Sequence, residues 1–307
     1  ESGASTGKAG LLENEPRFDY SGGATCPSLL LEPSRTNLIG YSEYFSGWLT
    51  TGSPTITDNY GTSPEGLSNS TRIVMQTNDR LYIVASSSGD ACFTAYMKGS
   101  GTIRLRNQDG TLYKDITLTA EWKRHEFSFN GSVTNFQLFQ YSGSSDFEIW
   151  GAQLEQGSYP TSYIPNHSGG TITRGADDCF KTGVSDLIGQ TEGTMFFEGS
   201  VEHTPENVSI MNFDRSVQFS VSLIKASDDK INAFVYNGGS FLFNIVSTAI
   251  SGRFKCAVAY KSGDTAFYVN GTQIGVNTTT FTPAATLDDI YIGSYLTPYF
   301  AYDHPVE

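Results

Sequence analysis

Two arginines with the spacing of a strand face suggest a surface that binds sugars. Between residues 102 and 107, Arg104 and Arg106 alternate with the apolar Ile103 and Leu105. A strand with this pattern has one buried face and one open face. Sugar recognition needs flat aromatic rings, together with amide or guanidinium groups that hydrogen-bond to hydroxyls. The candidate carbohydrate-binding set on this and neighbouring strands is Tyr96, Arg104, Arg106, Gln137, Gln140 and Tyr141.

The same side chains have a second interpretation, which the sequence leaves open. Polar and aromatic groups on an outward face also keep a protein soluble or contact a neighbouring subunit. Trp48 and Trp150 are further stacking candidates, but tryptophan in a small sandwich more often packs in the framework. We therefore expect both indoles in the core.

Carboxylates raise the question of a metal ion. Lectin sandwiches often fix their loops with Ca²⁺, which takes carboxylate and carbonyl oxygens. The candidate metal ligands of the first half are Glu43, Asp146 and Glu155, and none belongs to a recognisable calcium loop. Structural Ca²⁺ is the one cofactor that the sequence leaves open, and it establishes none.

Catalytic patterns are weak throughout the sequence. Glycoside hydrolysis needs two carboxylates at a fixed separation, and the nearest pattern is Asp146-Phe-Glu148, which lacks a third carboxylate. The histidines occur singly, at positions 125, 167, 203 and 304, with no nucleophile elbow nearby. No glycine-rich loop has the lysine and helix that a phosphate site requires. The sequence predicts a protein that is not an enzyme.

The charge balance excludes partners that require a concentrated positive field. The 307 residues include 32 acidic and 19 basic side chains, giving a net charge of -13. No cluster of lysine or arginine occurs along the chain, so nucleic acid and anionic membrane are not expected partners. The four cysteines, at positions 26, 92, 179 and 256, form no C-x-x-C pair and are expected as isolated buried thiols.

Short alternating runs separated by turn signals predict an all-β protein. We expect two antiparallel β-sandwiches, or jelly rolls, in series after an extended N-terminal arm. Asp109-Gly110 and Asn130-Gly131 are predicted hairpin turns, and Asn270-Gly271 fits a type I′ turn. The predicted divisions are residues 1–37 for the arm, 38–165 for the first sandwich, 166–186 for a polar linker and 187–307 for the second sandwich.

Two stretches of local sequence carry a family resemblance. The first contains Pro16–Tyr20, Ser28–Asn37 and Tyr41–Trp48, and the second runs from Gly151-Ala-Gln-Leu-Glu155 through Thr161–Pro165 to Asp177. Together they resemble the module of bacteriophage fibres, spikes and other virion appendages that has a carbohydrate-binding-module-like jelly roll, over roughly residues 9 to 180. The run Phe267-Tyr-Val-Asn-Gly271, following a strand and a short turn, resembles the laminin-G and concanavalin A-like lectin sandwich.

The resemblance implies a head-fibre, tail-fibre or decoration protein at the virion surface, assembled in the host cytoplasm. Its expected partners are glycans, other virion proteins and further copies of itself, a trimer being one candidate form. It also implies that the native chain continues beyond its first residue, and the ending suggests the same there. Two alternatives remain: the lectin-like accessory part of a polysaccharide depolymerase, and a purely structural capsid or tail cement protein.

Overall fold

The structure is a computed structural model that describes residue 16 and residues 18–19, 28–201, 207–214 and 218–293. Most of the predicted arm lies outside the described residues, as do Cys26, His203 and His304. Nearly all regular structure in the described part is antiparallel β-strand, which confirms the predicted all-β class. The described residues contain no α-helix, only two single 3₁₀ turns at Phe45–Gly47 and Ser185–Leu187, and therefore no helix that could cross a membrane.

Twenty-four strands are described, numbered here in chain order. Those up to residue 174 are β1 (Phe18–Asp19), β2 (Ser28–Leu29), β3 (Arg35–Asn37), β4 (Leu49–Thr51), β5 (Thr55–Gly61), β6 (Ser70–Gln76), β7 (Arg80–Ser87), β8 (Asp90–Ser100), β9 (Thr102–Asn107), β10 (Tyr113–Thr117), β11 (Lys123–Asn130), β12 (Val133–Phe139), β13 (Ser144–Gln156) and β14 (Ile172–Arg174). The others are β15 (Cys179–Thr182), β16 (Glu192–Ser200), β17 (Val208–Phe213), β18 (Phe219–Lys225), β19 (Lys230–Asn237), β20 (Ser240–Ala249), β21 (Arg253–Lys261), β22 (Thr265–Val269), β23 (Thr272–Asn277) and β24 (Asp289–Ile292).

Contacts divide the chain into two compact units. Among the described residues, the first unit contains Glu32–Gly175 and the second contains residues 18–19, 28–31 and 176–293. The division at 175 and 176 falls inside the predicted linker. The end of the predicted arm is shared out: β3 belongs to the first unit, whereas the β1–β2 pair belongs to the second. The predicted arm boundary at residue 37 is therefore not a boundary between units.

The first unit is a sandwich of two five-stranded antiparallel sheets. One sheet has the order β10-β9-β12-β7-β4, and the other has the order β11-β8-β13-β6-β5. Their apolar faces share one core, in which the rings of Phe93 and Phe136 stack at 4.1 Å between opposite sheets. Trp48 and Trp150 are buried, as expected from the sequence, at 4% and 3% exposure.

The two stretches that carry the family resemblance meet at one end of this sandwich. β3 pairs with β14, and Glu32 forms an ion pair with Arg174 at 2.9 Å. The centre of the contact is Asn37, which is fully buried. Its amide donates to Ser42 Oγ at 2.8 Å and to the carbonyl of Ile164 at 2.9 Å, and its Oδ1 accepts from the Ile39 amide at 3.0 Å. One asparagine thus holds together segments more than a hundred residues apart in the chain.

The second unit has a six-stranded sheet, ordered β15-β24-β17-β18-β19-β20, and a four-stranded sheet, ordered β16-β21-β22-β23. Both contribute to a separate core, where Phe213 of β17 meets Tyr260 of β21 at 6.1 Å between ring centroids. The predicted turn at Asn270-Gly271 is confirmed. Val269 pairs with Thr272, and the φ angles of 48° and 80° are those of a type I′ turn.

One predicted turn is wrong in its role. Asn130-Gly131 does follow β11, but β11 and the next strand, β12, lie in different sheets. The chain crosses the sandwich here instead of forming a hairpin. By contrast, Asp109-Gly110 does connect two paired strands, β9 and β10.

The described cysteines are free thiols, with Cys92 and Cys256 buried and Cys179 half-buried. Burial raises the pKa of Cys92 to about 11 and that of Cys256 to about 12. Both therefore remain protonated and unreactive near neutral pH, because the thiolate is the reactive form.

Candidate functional site

The outward face of the sheet β10-β9-β12-β7-β4 is unusually rich in arginine and aromatic side chains. Arg104 and Arg106 of β9 point outward, because Ile103 and Leu105 between them are fully buried. The register places aromatic and polar partners on the neighbouring strands beside them. We call this surface the tyrosine–arginine face and define it by Arg80, Tyr82, Arg104, Arg106, Tyr113 and Tyr141.

Arg104 is held between two tyrosine rings. Its guanidinium carbon lies 4.0 Å from the ring centroid of Tyr113 and 4.4 Å from that of Tyr141. Asp115 accepts two hydrogen bonds from the same guanidinium, at 2.7 and 2.8 Å, and these bonds lower the pKa of the Asp115 carboxyl. Both rings remain exposed, at 52% and 61%. The result is a fixed pair of aromatic surfaces that a sugar ring could stack on.

Arg106 lies over the ring of Phe139, with 3.7 Å between the guanidinium carbon and the ring centroid. Its Nε donates to Gln137 Oε1 at 2.9 Å, and Gln137 in turn donates to Asn135 Oδ1 at 2.7 Å. Burial, followed by the charges of Arg80 and Arg104, lowers the pKa of the Arg106 guanidinium. Arg106 is thus oriented by an amide, with no carboxylate beside it among the described residues.

Arg80 and Tyr82 were not among the residues that the sequence singled out. In β7, buried Leu81 and Ile83 alternate with these two side chains, so both point to the same outward face. Arg80 pairs with Phe139 of β12 across the ladder. The alternation in β7 was readable from the sequence. The position of β7 beside β12 was not, because the two strands are separated by four others along the chain.

Two predicted site residues lie elsewhere or serve another purpose. Tyr96 is on β8, in the opposite sheet, where its ring packs 5.5 Å from that of Trp150. Gln140 is 1% exposed, and its amide donates to the carbonyls of Thr102 and Ser142. Their assignment to the tyrosine–arginine face is therefore corrected: Tyr96 faces the other side of the sandwich, and Gln140 fixes the end of β12. The sheet does bring together Arg104, Arg106, Gln137 and Tyr141.

A cavity of about 460 Å³ opens beside this face. The edge strand β4 pairs only with residues 80–82 of β7, which leaves the rest of β7 at an open edge. Tyr41, Trp48 and Tyr82 contribute aromatic surface to the cavity, and Val84 lies at its border with 67% exposure. Because Tyr82 belongs to both surfaces, a long ligand on the tyrosine–arginine face can extend into the cavity.

The three candidate metal ligands do not form one site. Asp146 and Glu155 lie on the same strand, nine residues apart, which corresponds to about 30 Å in an extended chain. Asp146 is bound by Arg72, and both carboxylate oxygens of Glu155 accept hydrogen bonds from Thr161. The described residues contain no group of three or more potential metal-ligating His, Cys, Asp or Glu side chains.

Glu43, the third candidate, is buried in a separate hydrogen-bonding cluster. Its carboxylate accepts from Tyr163 Oη at 2.8 Å and from Asn69 Nδ2 at 3.1 Å, and His167 Nε2 lies 3.6 Å away. Burial raises the pKa of Glu43 above its usual value. The carboxyl connects the Tyr41–Trp48 stretch to the 151–165 stretch of the same unit, which is a structural role.

The carboxylates of Asp146-Phe-Glu148 are also engaged. Asp146 accepts two hydrogen bonds from Arg72, and Glu148 forms an ion pair with Lys98 at 3.0 Å. Ser70 Oγ donates to Glu148 at 2.6 Å. Each carboxylate is thus bound by a basic side chain on the sheet surface.

Comparisons with known proteins give no family. No protein-family model matches the chain, and no curated protein matches it. Solved structures with weak similarity include domains LG4-5 of the mouse laminin alpha1 chain, at 10% identity over 84% of this chain and 85% of that chain, with a TM-score of 0.29. A carbohydrate-binding module from Bacillus subtilis has 8% identity over 80% of this chain and 88% of that chain, with a TM-score of 0.22.

A tail fibre protein of E. coli phage G7C is also similar, at 10% identity over 89% of this chain and 41% of that chain, with a TM-score of 0.15. TM-scores this low carry no argument about function. The tyrosine–arginine face is assessed below on its own geometry.

Proposed function

We propose that the chain is a non-enzymatic glycan-binding protein and that the tyrosine–arginine face of its first unit is the binding surface. The observation that carries the proposal is the arrangement of Arg104 between the exposed rings of Tyr113 and Tyr141. Stacked aromatic rings with fixed hydrogen-bonding groups at their edges suit the flat faces and hydroxyls of a sugar. The cation–π contacts and Asp115 hold these groups in place before a ligand arrives, which lowers the entropic cost of binding.

The setting we propose is the surface of a bacteriophage particle, in a fibre or decoration protein that adheres to host-surface or environmental polysaccharide. The support is the resemblance of the Ser28–Asn37 and Gly151–Pro165 stretches to phage appendage proteins. Many copies on one particle would turn weak single-site binding into firm adhesion, because each bound copy raises the effective concentration of the next.

Affinity gel electrophoresis of the purified chain against a panel of neutral and acidic polysaccharides tests the binding function. We expect retardation by at least one polysaccharide, and weaker retardation for Arg104→Ala and Tyr141→Ala. No retardation by any polysaccharide, including with the protein displayed multivalently on beads, would overturn the proposal.

The other sheet offers a matched control. Arg72 lies 5.2 Å from the ring centroid of Tyr60 and is bound by Asp146, so it repeats the same chemistry on β6 and β5. Tyr60 is 50% exposed, close to the value for Tyr113. Arg72→Ala and Tyr60→Ala should leave retardation unchanged. Polymer viscosity followed in the same samples should stay constant, whereas a steady fall would favour a depolymerase.

A further inference from the structure

We propose that the polysaccharide is acidic and that Arg80 and Arg106 bind its carboxylate groups. This inference rests on the proposed glycan-binding function and narrows its ligand class. It concerns the half of the tyrosine–arginine face that Asp115 does not neutralise.

The first argument is hydrogen bonding. Arg80 makes no side-chain hydrogen bond to any described residue, and its Nε is buried without a partner. Arg106 uses only its Nε, in the bond to Gln137, so its two terminal nitrogens have no partner in the described part of the chain. A buried donor without a partner is costly, by about 1–3 kcal/mol. A ligand with acceptor oxygens would satisfy these donors.

The second argument is charge. Neither Arg80 nor Arg106 forms an ion pair with a described residue, whereas Arg104 beside them is paired with Asp115 at 2.7 Å. In a chain with a net charge of -13, carboxylates are abundant, yet none is placed between these two guanidinium groups. Both side chains converge on Phe139: Arg80 pairs with it across the ladder, and Arg106 covers its ring. The fold therefore maintains two like charges close together with no internal counter-charge.

The third argument is the shape of the anion. A guanidinium presents its N–H groups in a planar fork that matches the two oxygens of a carboxylate. Polysaccharides that contain uronic acids present such groups at intervals along a chain, next to pyranose rings for the tyrosines. Nucleic acid fits less well, because its binding depends on many phosphate contacts and the surrounding chain is acidic. The basic pair is formed across β7 and β9, which explains why no cluster is visible along the sequence.

The test compares each acidic polysaccharide with its own neutral derivative. Polygalacturonate, alginate and hyaluronate, each before and after carboxyl reduction, are titrated against the full chain in low salt. We expect at least one acidic form to bind about tenfold or more tightly than its reduced form, since hydrogen bonds to charged groups are the stronger class. The preference should shrink as salt is added.

Arg80→Gln and Arg106→Gln should each lower the affinity for the acidic form towards that of the reduced form, and Arg72→Gln should not. Thermal unfolding of each variant checks the fold, and the salt titration of the unmodified chain gives an answer even if one variant fails to fold. Equal binding of acidic and reduced forms would overturn the carboxylate inference and leave the glycan-binding proposal intact. Binding of dextran sulfate but of no uronate would also overturn it, and binding of no polysaccharide would overturn both.

Discussion

Replacing Asn37 by alanine should destabilise the first unit severely. The side chain is fully buried and makes three well-formed hydrogen bonds, to Ser42 Oγ, to the Ile164 carbonyl and from the Ile39 amide. Alanine would leave all three partners without Asn37, two of them backbone groups. At about 1–2 kcal/mol for each lost bond, the free energy of unfolding should fall by about 3 to 6 kcal/mol. That is a large share of the stability of an ordinary domain.

Tryptophan fluorescence measures this change in the first unit alone. The chain has three tryptophans, at positions 48, 122 and 150, and all three belong to the first unit. Urea titrations followed by fluorescence therefore report its unfolding without a signal from tryptophans of the second. The slope of free energy against urea should stay the same while the midpoint moves down.

Thr36→Ala is the matched control on the same strand. Its hydroxyl makes a single exposed bond to Thr173 Oγ1, at 2.7 Å, so removing it should cost less than about 1 kcal/mol. A loss of less than about 1 kcal/mol for Asn37→Ala as well would refute the reasoning. It would mean that the contact between the two resembling stretches does not depend on this asparagine.

Three further predictions concern the cores, the buried carboxyl and the thiols. Phe93→Ala should lower the free energy of unfolding by about 3–5 kcal/mol, because it removes the ring stacked on Phe136 and leaves a cavity; a loss below about 1 kcal/mol in urea titrations would contradict this. Burial raises the pKa of Glu43 above 4.5, so its contribution to stability is complete below that pH and is lost as the pH rises through the raised value. In urea titrations across this range, the stability of the unmodified chain should therefore fall with rising pH relative to Glu43→Gln, and a relative increase would show the opposite shift. Cys92 and Cys256 should resist iodoacetamide at pH 8 until the chain unfolds, as mass spectrometry of labelled peptides can show; rapid native labelling of either would exclude the buried, protonated state.

The sequence was sufficient to identify strands and their open faces, because strand alternation is a local property. Arg104 and Arg106 point outward as their alternation with buried Ile103 and Leu105 predicts. Alternation does not say which sheet a strand joins, which is why Tyr96 was placed on the wrong face.

Long-range pairing accounts for the remaining differences. Arg80 enters the site because β7 pairs with β12, and no local pattern specifies that neighbour. Asn130-Gly131 has the residues of a hairpin turn, but the strands on either side pair with partners in different sheets. The unpaired guanidinium groups of Arg80 and Arg106 likewise become visible only when separate strands are assembled.

Hydroxyl-radical footprinting with a bound polysaccharide tests the central claim most directly. Tyr113, Tyr141 and Tyr60 are exposed at 52%, 61% and 50%, so their oxidation rates in the free protein should be similar. Saturating polysaccharide should slow the oxidation of Tyr113 and Tyr141 and leave Tyr60 on the opposite sheet unchanged. Binding that protects Tyr60 instead, or that leaves Tyr113 and Tyr141 fully reactive, would show that the tyrosine–arginine face is not the glycan-binding surface.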